Sequence, residues 1–475
     1  MSRSAHPAGP RHAELVESTQ LAGPLADAAE LEAGVWPATC RRDATGALEL
    51  GGRRIPDLAA VYGTPLFVLD EADLRSRASA WAGAFEAGTA SGEVYFAAKA
   101  FWCIWVARTV VAEGLGVDIC TGGELAVAQR AGVDLTRAVF HGNNKTVPEL
   151  EQAVAAGVGR IVVDSFVEIE RVADVAAQAG KTVDVLVRVT VGVEAHTHEF
   201  IATAHEDQKF GFSLAGGQAM AAVDAVLARA GQLRLVGLHS HIGSQIFDTD
   251  GFEVAAHRLV GLAVEVKKRH GIVPAELNLG GGLGIAYVAS DDPPAVADIA
   301  GRLRAIVVAE CSVAGLPVPL ISVEPGRAIV GPTTITVYQV GTVKPVRVGR
   351  DGGPGGIRHY ISVDGGMSDN IRTALYDAAY TVTLANRVSS AMPVLARVVG
   401  KHCESGDIVV RDTWLPGDIT PGDLLAVAAT GAYCRSMASQ YNHQPRAGVV
   451  AVVDGAAHVV LRRETLDDLL ALDVG

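Results

Sequence analysis

The sequence predicts an α/β plus β fold in which a (β/α)8 barrel is inserted into a C-terminal β-sandwich or β-barrel domain. The first observation behind this prediction is a series of eight short apolar runs rich in β-branched residues, each followed by a helical pattern or a long connection. Alternating strands and helices form a parallel sheet, and eight such units close into a barrel. The second observation is that apolar residues alternate with period two in 334–340 and in later segments, which is typical of antiparallel strands. The eight runs span residues 94–99, 117–120, 138–141, 160–164, 183–189, 235–241, 276–279 and 320–323.

The domain organisation follows from where these patterns begin and end. Residues 1–30 are rich in Ala, Gly, Pro and charged residues, and we expect them to form a flexible N-terminal extension. Residues 31–69 contain short strands that have no partners of their own, so we expect these strands to join the β domain. The barrel is predicted over 70–329 and the C-terminal β domain over 330–475.

Charge and composition exclude several classes of protein. The 475 residues carry a net charge of −13, which disfavours a nucleic-acid or anionic-membrane partner because phosphate binding needs a positive surface. The six cysteines form no Cys-x-x-Cys pair, so neither a zinc site nor a disulfide framework is indicated, and a reducing cytoplasm is expected. The N-terminus has no compact apolar core of a signal peptide, and no apolar run is long enough to cross a membrane.

Lys99 closes the first apolar run and is the first candidate functional residue. The run Glu93–Ala100 reads as a buried strand that ends in a single lysine. Burial lowers the pKa of a lysine, and the neutral amine is the form that attacks a carbonyl to make a Schiff base. The alternative is a lysine that extends from the strand end into water, which is the commoner outcome for an isolated lysine.

Polar or glycine signals follow most of the other runs. In a (β/α)8 barrel the carboxyl ends of the strands meet on one face, where active sites lie. The glycine run 280–284 follows the seventh strand, in a position that commonly binds phosphate through backbone N–H groups. A phosphate site opposite Lys99 suggests pyridoxal 5′-phosphate, with Glu324 paired to its pyridine nitrogen and His241 against its ring. A simple salt bridge between Glu324 and Arg327 is the structural alternative.

The connection 192–215 after the fifth run is long and carries His196, His198 and His205. Their spacing matches no common zinc pattern. We therefore expect a polar loop over the barrel mouth and no metal site.

Five motifs carry a resemblance to a known family. The segments 95–99, 241–245, 280–284, 324–327 and 403–407 resemble the diaminopimelate decarboxylases, which are fold-type III pyridoxal-phosphate enzymes. The resemblance covers the chain from about Trp36 to its end. It implies PLP-dependent decarboxylation of meso-2,6-diaminopimelate to L-lysine and CO2, the last step of lysine synthesis. It also implies a homodimer with active sites at the subunit interface.

The resemblance assigns a role to individual residues. Lys99 is implied as the Schiff-base lysine and Cys403, supplied by the partner subunit, as the proton donor. The residues implied to bind the cofactor are Lys99, His241, Gly243, Ser244, Gly282, Glu324, Pro325, Gly326, Arg327 and Tyr433. The residues implied to bind the substrate are Arg327, Arg372, Tyr376, Glu404 and Tyr433.

The chemistry of the substrate residues themselves also indicates a site for a zwitterionic group. A helix start at Ser368–Asn370 is expected to place Arg372 and Tyr376 on one face. Arginine suits bidentate carboxylate binding, and Glu404 is expected to take the distal ammonium. The alternative for Arg372 is a solvated helix face.

Other functions remain open at this stage. A decarboxylase of the same fold could act on arginine, ornithine or carboxynorspermidine, although Arg372 and Glu404 disfavour the first two. A racemase is disfavoured by the glutamate expected at the pyridine nitrogen. A catalytically inactive mimic, like the antizyme inhibitors, is disfavoured by the presence of Lys99 and Cys403.

Overall fold

The structure is a computed structural model that describes residues 23, 29–86, 91–193, 209–348 and 356–475. The chain divides into two compact units. The barrel unit comprises Arg75–Ile285 and Asp292–Ile329, and the β unit comprises Met1–Leu74, Ala286–Asp291 and Val330–Gly475. The predicted extension 1–30 and the three histidines of the predicted loop over the barrel mouth lie largely or wholly outside the described residues.

Eight parallel strands close into a barrel, which confirms the predicted fold class. The last strand pairs with the first through Val323 and Val94, and the fourth pairs with the fifth through Ile161 and Val185. Every strand begins and ends within two residues of its predicted run. The barrel strands are Gly92–Ala97, Gly116–Ile119, Ala138–Phe140, Arg160–Val163, Val183–Thr190, Leu233–His239, Glu276–Asn278 and Leu320–Val323.

Helices follow the strands and pack apolar side chains against the sheet. A capping box at Thr146 and Glu149 starts the helix that the left-handed Gly157 ends, and the left-handed Gly180 ends the next helix. The helices that lie wholly or partly in the barrel unit are Glu71–Glu86, Ile104–Ala112, Gly122–Ala131, Val147–Ala156, Phe166–Ala179, Gln218–Ala228, Asp250–His270, Val296–Ala314 and Arg327–Val330. Among the helices that the structure describes, none combines the length and the hydropathy of a membrane-spanning segment.

The β unit is built on one mixed sheet that includes a strand from the N-terminal region. Leu66–Asp70 lies between Thr334–Val348, to which it is antiparallel, and Gly448–Val453, to which it is parallel. The other strands of this sheet are Gly356–Val363, Val382–Leu384, Pro393–Val399, Ile408–Pro416, Leu424–Val427 and Ala456–Leu461. A separate small sheet contains Arg41–Arg42, Leu48–Leu50 and Arg53–Arg54, and the short helices are Ile55–Tyr62, Arg372–Tyr376 and Leu466–Leu470.

The segment Ala286–Asp291 groups with the β unit, whereas the sequence prediction had all of 70–329 in the barrel domain. Hydrogen bonds explain the difference. The hydroxyl of Thr381 donates to the carbonyl of Tyr287 at 2.9 Å, and the guanidinium of Arg372 donates to the Tyr287 hydroxyl at 2.9 Å. Sequence patterns do not record such side-chain contacts.

Candidate active site

Lys99 lies in a short 3-10 turn, Ala98–Ala100, directly after the first barrel strand. The strand ends at Ala97, so the prediction of a lysine buried within the strand end is wrong. Lys99 is exposed while Ala98 and Ala100 are buried. The turn separates the lysine from the apolar strand, because the chain leaves the sheet two residues earlier than predicted. Lys99 nevertheless lines a cavity of about 340 Å³ at the carboxyl ends of the strands.

The floor of this cavity holds a buried carboxylate, Glu324, after the eighth strand. Its Oε1 accepts a hydrogen bond from Asn278 Nδ2 at 2.9 Å and lies 2.7 Å from His141 Nε2. Its Oε2 lies 3.3 Å from His239 Nε2. Burial alone would raise the pKa of Glu324, but the two histidines outweigh this effect and hold the pKa well below its usual range. Glu324 is therefore an anion at neutral pH.

His239 and His241, at the end of the sixth barrel strand, are neutral at neutral pH. Burial lowers the pKa of His239 to about 4, against the opposing attraction of Glu324. Burial also lowers the pKa of His241 well below its usual value, and the nearby Lys99 adds to this shift. His241 Nδ1 accepts a hydrogen bond from the backbone N–H of Gly281 at 3.1 Å, so its proton is on Nε2.

The glycine run is a place where two strand ends approach too closely for any side chain. A Cβ on Gly281 would overlap the carbonyl oxygen of Glu324, and a Cβ on Gly282 would overlap the carbonyl oxygen of Gly243. Gly282 also has φ +98°, a left-handed conformation that favours glycine. Bare backbone is thus required at this edge of the barrel mouth.

The remaining predicted residues of the barrel unit lie beside this glycine run. Arg327 is buried, and its Nη2 donates to Ser244 Oγ at 2.9 Å. Pro325 and Gly326 are buried in the connection between the eighth strand and the helix Arg327–Val330. The alternative for Glu324, a salt bridge with Arg327, is not among the ion pairs of the described residues, since histidines and an asparagine surround the carboxylate instead.

The β unit contains the other predicted residues. Arg372 is buried at the start of the helix Arg372–Tyr376, which excludes the solvated helix face as its environment. The helix begins two residues after the predicted start at Ser368–Asn370 and contains both Arg372 and Tyr376, as predicted. In the turn before it, Asn370 Oδ1 accepts from the Arg372 N–H at 3.2 Å. Tyr376, the last residue of that helix, is partly buried.

Cys403 and Glu404 lie in a loop of the β unit that Asp407 holds in place. The Asp407 carboxylate accepts hydrogen bonds from the backbone N–H groups of Met367 at 2.6 Å and of His402 at 2.8 Å. Cys403 is the only exposed cysteine of the six, all of which the structure describes. Asp407 thus fixes the backbone of His402, the residue before the exposed Cys403.

Tyr433 has φ +60°, a conformation that is unusual for a residue with a large side chain. It is partly buried in the turn after the last strand that pairs with Thr334–Val348. Such strain is kept only where the surroundings enforce it, and it is typical of functional positions.

Several residues around Glu324 and the cavity were absent from the predicted site. His141 and Asn278 contact Glu324, and Arg188 lines the cavity from the fifth strand and lies 3.6 Å from Asp164. A charged residue inside the apolar run 183–189 was the available signal for Arg188. For His141, a similar signal was its position at the end of the third apolar run. Nothing in the sequence indicated that His141, His239 or Asn278 would contact Glu324.

Comparisons with known proteins agree with this geometry. Residues 71–331 match the family described as pyridoxal-dependent decarboxylase, pyridoxal binding domain. The barrel mouth therefore belongs to a pyridoxal-phosphate-dependent decarboxylase, which confirms the predicted cofactor.

The relatives narrow this class to one family. Diaminopimelate decarboxylase of Mycobacterium tuberculosis is 60% identical over 448 residues, covering 94% of this chain and 98% of the relative. The Mycobacterium leprae enzyme of the same name is 56% identical and covers 99% of this chain and all of the relative. The chain belongs to the diaminopimelate decarboxylase family, as the five motifs predicted. A crystal structure of diaminopimelate decarboxylase from M. jannaschii with L-lysine is similar at a TM-score of 0.83 and 29% identity, covering 92% of this chain and 98% of that one.

The residues of the barrel mouth fit pyridoxal 5′-phosphate. Glu324 is an anion that can accept a hydrogen bond from a protonated pyridine nitrogen. His239, which lines the cavity, has a buried Nδ1 with no hydrogen-bond partner among the described residues, so the cavity wall retains an unused polar atom. The cluster of His141, His239 and Glu324 has donor atoms that a metal could also use, but the family match favours the organic cofactor.

Proposed function

We propose that this chain catalyses the pyridoxal-phosphate-dependent decarboxylation of meso-2,6-diaminopimelate to L-lysine and CO2, the last step of lysine synthesis. The observation that carries the proposal is the anionic Glu324 in a strand-end cavity that Lys99 also lines. The near full-length likeness to diaminopimelate decarboxylases supports the choice of substrate.

The chemistry divides between the cofactor and the chain. When bound, pyridoxal 5′-phosphate supplies an electron sink for the electron pair left behind when CO2 departs. Glu324 would accept the hydrogen bond of the pyridine N–H and keep that nitrogen protonated, since its own pKa is low. The neutral ring of His241, oriented by the Gly281 N–H, would cover one face of the cofactor. Lys99 would bind the cofactor covalently through Nζ.

Phosphate binding is assigned to the glycine edge of the barrel mouth. We assign it to Gly243, Ser244 and Gly282, with Gly326, Arg327 and Tyr433 as further contacts. The support within the barrel unit is that Gly282 and Gly243 meet backbone to backbone and that Arg327 already holds the Ser244 hydroxyl. Backbone N–H groups and a guanidinium are the donors that a phosphate requires.

Recognition of the distal end of the substrate is assigned to Arg327, Arg372 and Tyr376 for the carboxylate and to Glu404 for the ammonium. A guanidinium binds a carboxylate through two parallel hydrogen bonds. Two cations and one anion match a zwitterionic end better than the single amine of ornithine does.

We further propose that the enzyme is a cytoplasmic homodimer in which the partner subunit's Cys403 and the partner subunit's Glu404 complete each active site. The resemblance of 403–407 to the family motif supports the shared site. All six cysteines are free, which fits a reducing compartment.

The direct test of the function is CO2 release by the purified protein supplied with pyridoxal 5′-phosphate. We expect kcat/KM for meso-diaminopimelate to exceed that for ornithine, arginine or carboxynorspermidine by at least roughly 100-fold, because the paired groups of the distal site would otherwise be left unsatisfied. Equal or faster turnover of any of the three would assign the protein to another decarboxylase. Absence of CO2 release from all four would identify an inactive mimic.

Cys403→Ala is expected to lower kcat for meso-diaminopimelate by roughly 100-fold, since a general acid contributes about this factor. The thiol would deliver a proton from Sγ to the carbon that lost CO2, after the bond to CO2 has broken. Steady-state kinetics measures the loss, and the absorbance of the bound cofactor should stay unchanged. Cys40→Ala, which removes a thiol elsewhere in the β unit, is the control and should retain full activity. Full activity of Cys403→Ala would exclude Cys403 as the acid.

A further inference from the structure

Arg372 is a buried cation whose side chain makes no ion pair with a carboxylate in the part of the chain that the structure describes. Its nearest polar contacts are two phenols. Nη1 donates to the hydroxyl of Tyr380 at 2.6 Å and to the hydroxyl of Tyr287 at 2.9 Å. A buried charge is usually paired with an opposite charge, so an arginine held only by neutral groups retains its full charge for a ligand.

The two tyrosines form a rigid support for the guanidinium. Their rings meet edge to face at 5.3 Å between centroids, and Arg372 Cζ lies 4.9 Å from the centre of the Tyr287 ring. The hydroxyl of Thr381 fixes the backbone of Tyr287 through a hydrogen bond of 2.9 Å. Tyr380 is buried, and its hydroxyl also lies 3.6 Å from Cys434 Sγ. Both aromatic groups are thus held from more than one side.

The geometry leaves one edge of the guanidinium for a ligand. Both hydroxyls accept their hydrogen bonds from Nη1, whereas Nε and Nη2 have no hydrogen-bond partner among the described residues. Nε and Nη2 together form the edge that binds both oxygens of a carboxylate. Burial raises the pKa of Tyr380 well above its usual value, so its hydroxyl stays neutral and does not cancel the charge of Arg372.

We propose that Tyr287 and Tyr380 are positioning residues that orient the Nε–Nη2 edge of Arg372 toward the distal carboxylate of the substrate. They would thereby set the preference for ligands that carry a carboxylate at that end. This inference rests on the proposed function, which assigns Arg372 to the distal carboxylate.

The test replaces each hydroxyl without removing the ring. In Tyr380→Phe and in Tyr287→Phe we expect KM for meso-diaminopimelate to rise about tenfold, with kcat within about twofold of wild type, because a hydrogen bond to a charged group is lost. Binding of L-lysine, which retains the distal carboxylate, should weaken about tenfold in calorimetry. Binding of 1,5-diaminopentane, which has no carboxylate, should not change.

Tyr360→Phe is the matched control, since the Tyr360 hydroxyl also accepts a hydrogen bond from an arginine of the β unit, Arg397, at 3.5 Å. It should leave both ligands and KM unaffected. The inference is overturned if the Tyr287 and Tyr380 variants bind L-lysine as wild type does, or if they lose affinity for both ligands equally. A wild-type protein that releases no CO2 from meso-diaminopimelate contradicts the proposed function instead, and the calorimetric comparison still tests the tyrosines.

Discussion

Lys99→Ala is expected to lower CO2 release from meso-diaminopimelate by at least roughly 1,000-fold and to abolish the visible absorbance band of the bound cofactor. The reason is chemical: Nζ of Lys99 is the amine assigned to the cofactor, and alanine has no amine to replace it. Lys99 lines the strand-end cavity together with Glu324, whereas Lys145, which follows the third strand, is buried and donates to Glu168 at 3.0 Å. Kinetics and an absorbance spectrum measure the two effects.

The control for this change is Lys268→Ala, which removes an exposed lysine near the end of the helix Asp250–His270. It should keep both the activity and the absorbance band. If Lys99→Ala retains the band and more than a tenth of the activity, another group must hold the cofactor.

Glu324→Gln is expected to lower kcat by roughly 100-fold to 1,000-fold, because it removes the fixed charge that keeps the pyridine nitrogen protonated. A neutral amide also has one acceptor oxygen where the carboxylate has two. Since His141 and His239 hold the pKa of Glu324 well below its usual range, the wild-type carboxylate is ionised throughout the neutral pH range. The change should be visible as a shifted cofactor absorbance as well as a loss of kcat.

Glu276→Gln is the matched control for a buried carboxylate. Glu276 starts the seventh strand, accepts from Ser322 Oγ at 2.7 Å and pairs with Arg160 at 2.5 Å. We expect this variant to unfold at a lower temperature and to keep the wild-type absorbance spectrum. An unchanged kcat in Glu324→Gln, or equal spectral changes in both variants, would contradict the assignment of Glu324.

The barrel could be predicted because its strands are short, apolar and separated by helical patterns. Every predicted run coincides with an observed strand to within two residues, since hydrophobic period and strand length are local properties. The segment Ala286–Asp291 could not be placed, because hydrogen bonds of Thr381 and Arg372, far along the chain, draw it into the β unit.

Site residues could be predicted where the residue type and its position at a strand end indicate the chemistry. Contacts that depend on tertiary packing could not be predicted. Glu324 and the glycines after strand seven were found from their positions at strand ends. The exposure of Lys99 was missed, because one turn beyond Ala97 frees it from the sheet. The contacts of Glu324 with His141 and Asn278 depend on barrel closure, which brings residues of the third, seventh and eighth strands together.

The phenol support of Arg372 was equally invisible in the sequence. Tyr287 and Tyr380 are separated by more than ninety residues and meet only in the folded β unit. The left-handed backbone of Tyr433 had no signal in the sequence either, because a residue with a large side chain rarely adopts that conformation.

The central claim is that Lys99 holds pyridoxal 5′-phosphate at the mouth of the barrel. Borohydride reduction of the cofactor-loaded protein, followed by proteolysis and mass spectrometry, identifies the lysine to which the cofactor is attached. We expect a single pyridoxyl-phosphate group on Lys99. Attachment to a different lysine, or no attachment under conditions that give full activity, would contradict the account.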